Sequence, residues 1–306
     1  MSERSASAGA RDGAGAGAGD GAGDGAGVGR APRYLDGHLA EQSGRAEKAG
    51  RSELFIHLGH WDAAPSGTSM AELRAAQQRL DDRLVAMASV RDGLAILDAG
   101  CGFGGTIATL DATARDLSLV GLNIDPRQLD VARANVTVRA GSSVRWVEGD
   151  ACALPFEDGS FDRVMAVECV FHFASRRRFF AEAARVLRAE GRLVLSDLVA
   201  SEALVRSRGE LPDGLEAALR EALSPCPHLW GGEGSVEEMA SAAGLRVLAR
   251  EDATLATLPS YACILAGKVV DFGSVGEPTG DRGVAALAWL QLRGLLRVEY
   301  MVFTKG

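Results

Sequence analysis

ILDAGCGFGG, Ile96 to Gly105, leaves an apolar run and enters a helical pattern, and its glycines Gly100, Gly102 and Gly105 fit the spacing of a nucleotide-binding turn. Glycine lets a ligand lie against backbone whatever the ligand is, so the spacing alone is ambiguous. Asp98 narrows the choice. A carboxylate just before the glycines repels a pyrophosphate and attracts a ligand that is cationic in part.

Outward from this loop, short apolar runs alternate with helical patterns. LAILDAG, SLVGLNI, VRWVEGD, DRVMAVE and RLVLSDLV read as strands with helices between them, which predicts βαβ units and a largely parallel sheet. Ligands of such sheets bind beyond the carboxyl ends of the strands. Upstream, Ser69 and Glu72 form a capping box, and Met70, Leu73, Leu80, Leu84 and Met87 recur at helical spacing, with Arg and Asp assigned to the outer face. Residues 201–234 break the rhythm with Gly, Pro and a helix expected at Leu215 to Leu223, and read as a lid. Beyond it a helix is expected at Val236 to Ala243, a strand at LRVLARE, a helix at Leu287 to Leu296 and a last strand at VEYMVF.

The chain has 306 residues, 47% of them hydrophobic and 24% charged, which suffices for a full core. The 33 basic and 41 acidic residues give a net charge of −8, against a nucleic-acid partner held through its phosphates. No apolar run reaches the roughly 18 residues of a membrane span. Of the 38 glycines, ten lie between Gly9 and Gly29 in a Gly/Ala run, so residues 1–31 read as a disordered tail. The remainder, 32–306, reads as one domain with amino-terminal helices over 32–92. The tail has neither the basic start nor the apolar core of a signal peptide, which implies a cytoplasmic protein. Five scattered cysteines, without a CxxC pair, read as reduced, buried thiols.

Four ordered segments, LDAGCGFGG, GLNIDPRQLDVARAN, VEGDACALPFEDGSFDRVMAVECVFHF and VLRAEGRLVLSDLV, resemble the class I S-adenosylmethionine-dependent methyltransferases, in particular small-molecule O-methyltransferases of natural products and sugars. The resemblance implies a Rossmann-like α/β fold: a seven-stranded, mostly parallel sheet with helices on both faces, an antiparallel last strand and a helical lid. It implies S-adenosylmethionine as cofactor. Asp98, Gly100 and Gly102, with Cys101 between them, would line its methionine part, and Asp150 beside the backbone of Ala151 would accept from the adenine amine. At the second strand the chain departs from the family, having Asn123 where many members carry a ribose-binding acid. Asp125 with Pro126 reads as a helix start, with Gln128 closing a capping box. Asn123, Ile124 and Gln128 are therefore expected at the ribose and adenine.

On the acceptor side, the resemblance places His172 and Asp197 toward the acceptor, His172 as base and Asp197 orienting it or the acceptor. Glu168 either contacts the ligand or serves structure. Trp61, Phe171, Phe173, His228 and Trp230 are expected to wall an apolar acceptor site. His57 and His60 in HLGHWD lack a clear third ligand, so no metal is expected. The run Arg176 to Arg178 reads as the solvated face of a helix beginning near Ser175. The expected reaction is methylation of an alcohol or enol of a small, polyketide-like metabolite. N- or C-methylation, a nicotinamide oxidoreductase and a cofactor-binding protein that transfers no methyl stay open, as does the oligomeric state.

Overall fold

The computed structural model describes residues 54–206, 234–266 and 280–306, together with helical residues 36, 39–40, 214–215 and 217–219. The expected tail and most of the expected lid, including Cys226, His228 and Trp230, lie outside the described residues.

Helix α1 (Met70–Met87) starts at Ser69, whose side chain accepts from the Glu72 amide while the Glu72 carboxylate accepts in return, the expected capping box. Then follow β1 (Ala95–Ala99), α2 (Gly105–Thr113), β2 (Ser118–Asn123), α3 (Pro126–Asn135), β3 (Ser143–Glu148) and β4 (Phe161–Val167). A single 3-10 turn (Val170–His172) leads into α4 (Arg176–Val186) and β5 (Leu187–Ala200). The remaining elements are α5 (Glu202–Arg206), α6 (Val236–Ala242), β6 (Leu245–Asp252), α7 (Thr254–Thr257), α8 (Pro259–Ile264), α9 (Gly280–Leu292) and β7 (Leu296–Lys305). The helix expected at Leu287 to Leu296 begins earlier and ends earlier, because Gly294 takes a φ of 64° and releases the chain into β7.

The seven strands lie in the order β3-β2-β1-β4-β5-β7-β6. Strands β1 to β5 pair in parallel, while β7 runs antiparallel to both β5 and β6. The direction of strand order reverses between β1 and β4, which opens a crevice at their carboxyl ends. Alternation along each strand feeds two cores. Ile96, Met165 and Val194 pack under α1 and α2 with Leu80, Leu84, Ile107 and Leu110. Leu97, Val164, Ala166 and Leu195 pack under α4 with Phe179, Phe180 and Ala183. Within the segment expected to form a lid, the described residues Leu215, Ala218 and Leu219 are buried in the first core. No helix among the described residues is long and apolar enough to cross a membrane.

Candidate functional site

The crevice beyond β1 and β4 is a cleft of about 1010 Å³, mouth included, a size that suits a small molecule. Its floor is the glycine loop. Gly100 sits at φ 80°, and a Cβ there would stand 2.7 Å from Cys169 Sγ. The Gly100 and Cys101 amides both donate to the Leu122 carbonyl, which ties the loop to β2. Gly104, at φ 87°, turns the chain into α2. A Cβ on Gly105 would meet the Phe55 ring at 2.4 Å. Glycine is thus required twice over at Gly100, by conformation and by contact.

The same contact reveals what the sequence concealed. Leu54 to His57 lie across the glycine loop and form a wall of the cleft, with Ile56 over Gly102 and Phe55 over Gly105. This strap is pinned along its length. The Leu58 amide donates to Glu168 Oε2 at 2.8 Å, the Gly59 amide to Ser260 Oγ at 2.8 Å, and Gln77 Nε2 to the His57 carbonyl at 2.6 Å. His57 Nδ1 lies 2.6 Å from the Leu58 carbonyl, which only accepts, so Nδ1 carries the proton and the buried Nε2 keeps a bare lone pair with no partner among the described residues. Burial holds the His57 imidazole at a pKa of about 4, against the lesser effect of the Leu58 carbonyl.

Asp98, 1% exposed, lines the cleft, and its Oδ2 has no donor among the described residues. Burial, and then the charge of Asp81, push its carboxyl well above the usual carboxylate range. At the end of β2, Asn123 Oδ1 accepts from the Asp125 amide at 3.0 Å, and its Nδ2 points to Gln128 Oε1 at 3.4 Å. Asp125 caps α3 by accepting from the Arg127 amide, the expected structural role, and also binds the Arg127 guanidinium. Gln128 does not close a box back to it; it faces Asn123. After β3, Asp150 Oδ1 accepts from the Cys152 amide at 2.8 Å and thereby shapes the turn that presents Asp150 and Ala151 to the cleft.

Glu168, directly after β4, takes a left-handed conformation, φ 46°, that only a well-braced backbone sustains. The brace is Ser196, whose hydroxyl and carbonyl both accept from the Glu168 amide. Glu168 Oε1 is buried with no partner among the described residues, and burial raises the carboxyl to about 7 in spite of the Leu58 amide. His172 and Phe173 follow at the end of the 3-10 turn and line the same wall.

Of the residues singled out by sequence, the cleft therefore gathers Asp98, Gly100, Cys101 and Gly102; Asn123, Ile124 and Gln128; Asp150 and Ala151; and Glu168, His172 and Phe173. Three others lie elsewhere. Trp61 is buried against Leu73 and Ala76, its Nε1 donating to Ser260 Oγ at 2.9 Å, so it anchors the strap from behind. Phe171 faces the core under α1, because successive residues of the turn point in different directions. Asp197, 2% exposed, accepts from Arg176 Nε at 2.7 Å and Nη2 at 3.2 Å, and from the Leu198 amide at 2.8 Å. Arg176 corrects the reading of the 176–178 run. It is 6% exposed, because the first turn of α4 lies over the end of β5 where the carboxylate waits. Asp81 is likewise buried, not on the outer face of α1. His60 Nδ1 lies 3.2 Å from Tyr300 Oη, a packing role, and the described residues hold no cluster of three or more His, Cys, Asp or Glu that would bind a metal. Cys101, Cys152, Cys169 and Cys263 are free and buried, as expected.

Residues 97–195 match the family model described as a methyltransferase domain. The chain is 31% identical over 259 residues to the methyltransferase GfsG of Streptomyces halstedii, covering 82% of this chain and 86% of that one. It is 40% identical over 167 residues to the 27-O-demethylrifamycin SV methyltransferase of Amycolatopsis mediterranei, covering 53% of this chain and 55% of the relative. In structure it resembles the geranyl diphosphate C-methyltransferase of Streptomyces coelicolor, solved with S-adenosyl-L-homocysteine, at a TM-score of 0.66 and 16% identity over 90% of this chain and 100% of the other.

Proposed function

Because the chain belongs to the class I S-adenosylmethionine-dependent methyltransferases, and is a natural-product enzyme of that family, we propose that it methylates a hydroxyl oxygen of a small, polyketide-like acceptor. The residues present fit the cofactor. The unpartnered Asp98 Oδ2 offers an acceptor for an ammonium group, the glycine loop leaves room for backbone contact, and Asp150 stands ready for an exocyclic amine. The cofactor supplies a methyl group already activated on a sulfonium. What falls to the protein is alignment, exclusion of water and removal of one proton.

The observation that carries the reading is the shared wall: His172 and Phe173 line the same cleft as Asp98 and the glycine loop, so acceptor and cofactor meet beside an imidazole. His172 takes the hydroxyl proton. Asp197 acts behind it as a positioning group: both of its oxygens already accept from Arg176 and the Leu198 amide, and its carboxylate fixes the end of β5 below the 3-10 turn. Asn123, Ile124 and Gln128 hold the ribose and adenine. The 27-O-demethylrifamycin SV methyltransferase relative, by its name, supports the oxygen as the methylated atom.

The test is mass spectrometry of metabolite extracts incubated with the enzyme and methyl-labelled cofactor. Expected is a product heavier by one labelled methyl on oxygen, with His172→Ala slower by about 10²-fold or more. A label found on carbon or nitrogen, or near-wild-type turnover by His172→Ala, contradicts the proposal.

A further inference from the structure

Asp98 is not alone beneath the cleft. Alternation along β1 sends Ile96 and Asp98 to the face covered by α1 and α2, and on α1 Asp81 turns into that same layer with Leu80 and Leu84. Asp81 is 0% exposed. Its Oδ1 accepts from Thr106 Oγ1 at 2.8 Å, and Thr106, in the first turn of α2, itself lines the cleft. Among the described residues, neither Asp81 Oδ2 nor Asp98 Oδ2 has a donor. Two carboxylates thus share an apolar layer, each with one oxygen unserved.

Among the described residues, no cation is bonded to either carboxylate, and the charges around them are mostly of like sign. On α1 the neighbour is Asp82, exposed and of like sign, and on α2 the hydroxyls of Thr106 and Thr109 act on Asp81. Around Asp98 stand the thiols of Cys101 and Cys169. Arg133 of α3 acts on the former, and Glu168 and Asp197 act on the latter. Among the described residues no lysine, arginine or histidine bonds to either carboxylate. Leaving two such anions bare in an apolar layer is costly, and proteins relieve that cost by binding a cation or keeping a proton.

We infer that Asp81 and Asp98 work as an acid pair: in the cofactor-free protein Asp98 keeps a proton, and it gives that proton to solvent when the cofactor's ammonium group takes its place. The step balances as a simple exchange, in which the Asp98 O–H bond breaks, the proton leaves to buffer, and the carboxylate formed accepts from the incoming ammonium. Asp81 touches no ligand. It is a positioning residue whose negative charge, favoured by the Thr109 and Thr106 hydroxyls, keeps the proton on Asp98 and makes the pocket selective for cations. Burial pushes Asp98 well above the carboxylate range, and Asp81, raised by its own burial only to about 6, stays ionised near neutrality. With one proton released per cofactor bound, affinity rises by about tenfold per pH unit until Asp98 titrates in the free protein.

This inference rests on the cofactor reading above, and calorimetry separates the two. S-adenosylhomocysteine is titrated into the full chain at pH 7 in two buffers of different ionisation enthalpy, with methylthioadenosine, which lacks the amino-acid portion, as the parallel ligand. Expected is a buffer-dependent binding heat for S-adenosylhomocysteine corresponding to a release approaching one proton, and none for methylthioadenosine. Asp81→Asn still binds, with affinity lowered about tenfold and the pH of half-maximal release moved downward. Should Asp81→Asn not fold, Thr106→Val, which takes the donor from Asp81, moves release in the same direction. Binding heats that do not depend on buffer, or release unchanged by the variant that folds, overturn the inference. Failure of S-adenosylhomocysteine to bind at all overturns the cofactor reading instead.

Discussion

Removing the Arg176 guanidinium strips Asp197 of both charge-assisted contacts, at 2.7 and 3.2 Å, and leaves a carboxylate that is 2% exposed with only the Leu198 amide. Arg176 Nη2 also donates to the Leu198 carbonyl at 3.0 Å, so that acceptor is orphaned too. Breaking a buried pair from one side costs about 3–5 kcal/mol, whereas an exposed pair costs no more than about 1. Arg176→Ala should therefore lower the melting temperature by roughly 6–15 °C, read by thermal and urea unfolding. The double variant Arg176→Met/Asp197→Leu should recover most of that loss, because it leaves no uncompensated charge. If Arg176→Ala costs less than about 1 kcal/mol, the guanidinium lies in solvent and the buried pair is wrong. A kinetic companion follows: Asp197→Asn, keeping its acceptor oxygen toward Arg176, should leave the pH profile of turnover in place if Asp197 positions the site and takes no proton itself.

Two further outcomes come from the cleft. Gly100→Ala places a side chain at φ 80° against Cys169 Sγ, and should cost about 1–3 kcal/mol in unfolding while weakening S-adenosylhomocysteine binding; an unchanged dissociation constant contradicts the packed loop. Stability should also respond to pH at the strap. His57, lowered to about 4 from 6.5, contributes stability that is complete above pH 6.5 and lost as pH falls through 4; Glu168, raised to about 7 from 4.5, contributes stability that is complete below pH 4.5 and lost as pH rises through 7. Glu168→Gln should accordingly gain on the wild type between pH 4.5 and 7, by at most about 3 kcal/mol, and equal slopes for the two proteins refute the buried carboxyl.

The lining of the cleft beyond β1 and β4 was legible because its signals are local. A glycine loop between strand and helix, Asp98 one strand position before it, Asp125-Pro126 opening α3 and Asp150 after β3 each announce themselves within a few residues. What the sequence hid depends on partners far along the chain. Arg176 reads as one of three adjacent arginines; only the packing of α4 on β5 brings it to Asp197, 21 positions away. Asp81 reads as a polar residue of an amphipathic helix until α2 covers it and Thr106 supplies a donor. The strap is the plainest case. HLGHWD stands out by composition, yet its meaning lies in contacts with Glu168, 110 positions on, and Ser260, 201 positions on. Trp61 reads as part of an apolar acceptor wall, yet it turns inward, where its indole donates to Ser260. Asp81 and Thr106 carry no motif that a single sequence would betray, whereas the strap's unusual composition was a signal that it packs somewhere important.

The most direct measurement is a binding titration of the purified chain with S-adenosylhomocysteine and, in parallel, with NAD, for the wild type, Asp98→Asn and Asp150→Asn. S-adenosylhomocysteine should saturate the wild type at one site per chain, bind Asp98→Asn and Asp150→Asn more weakly, and have no counterpart in NAD. Saturable NAD binding, or S-adenosylhomocysteine affinity indifferent to both substitutions, would contradict the placement of the cofactor in the cleft beyond β1 and β4.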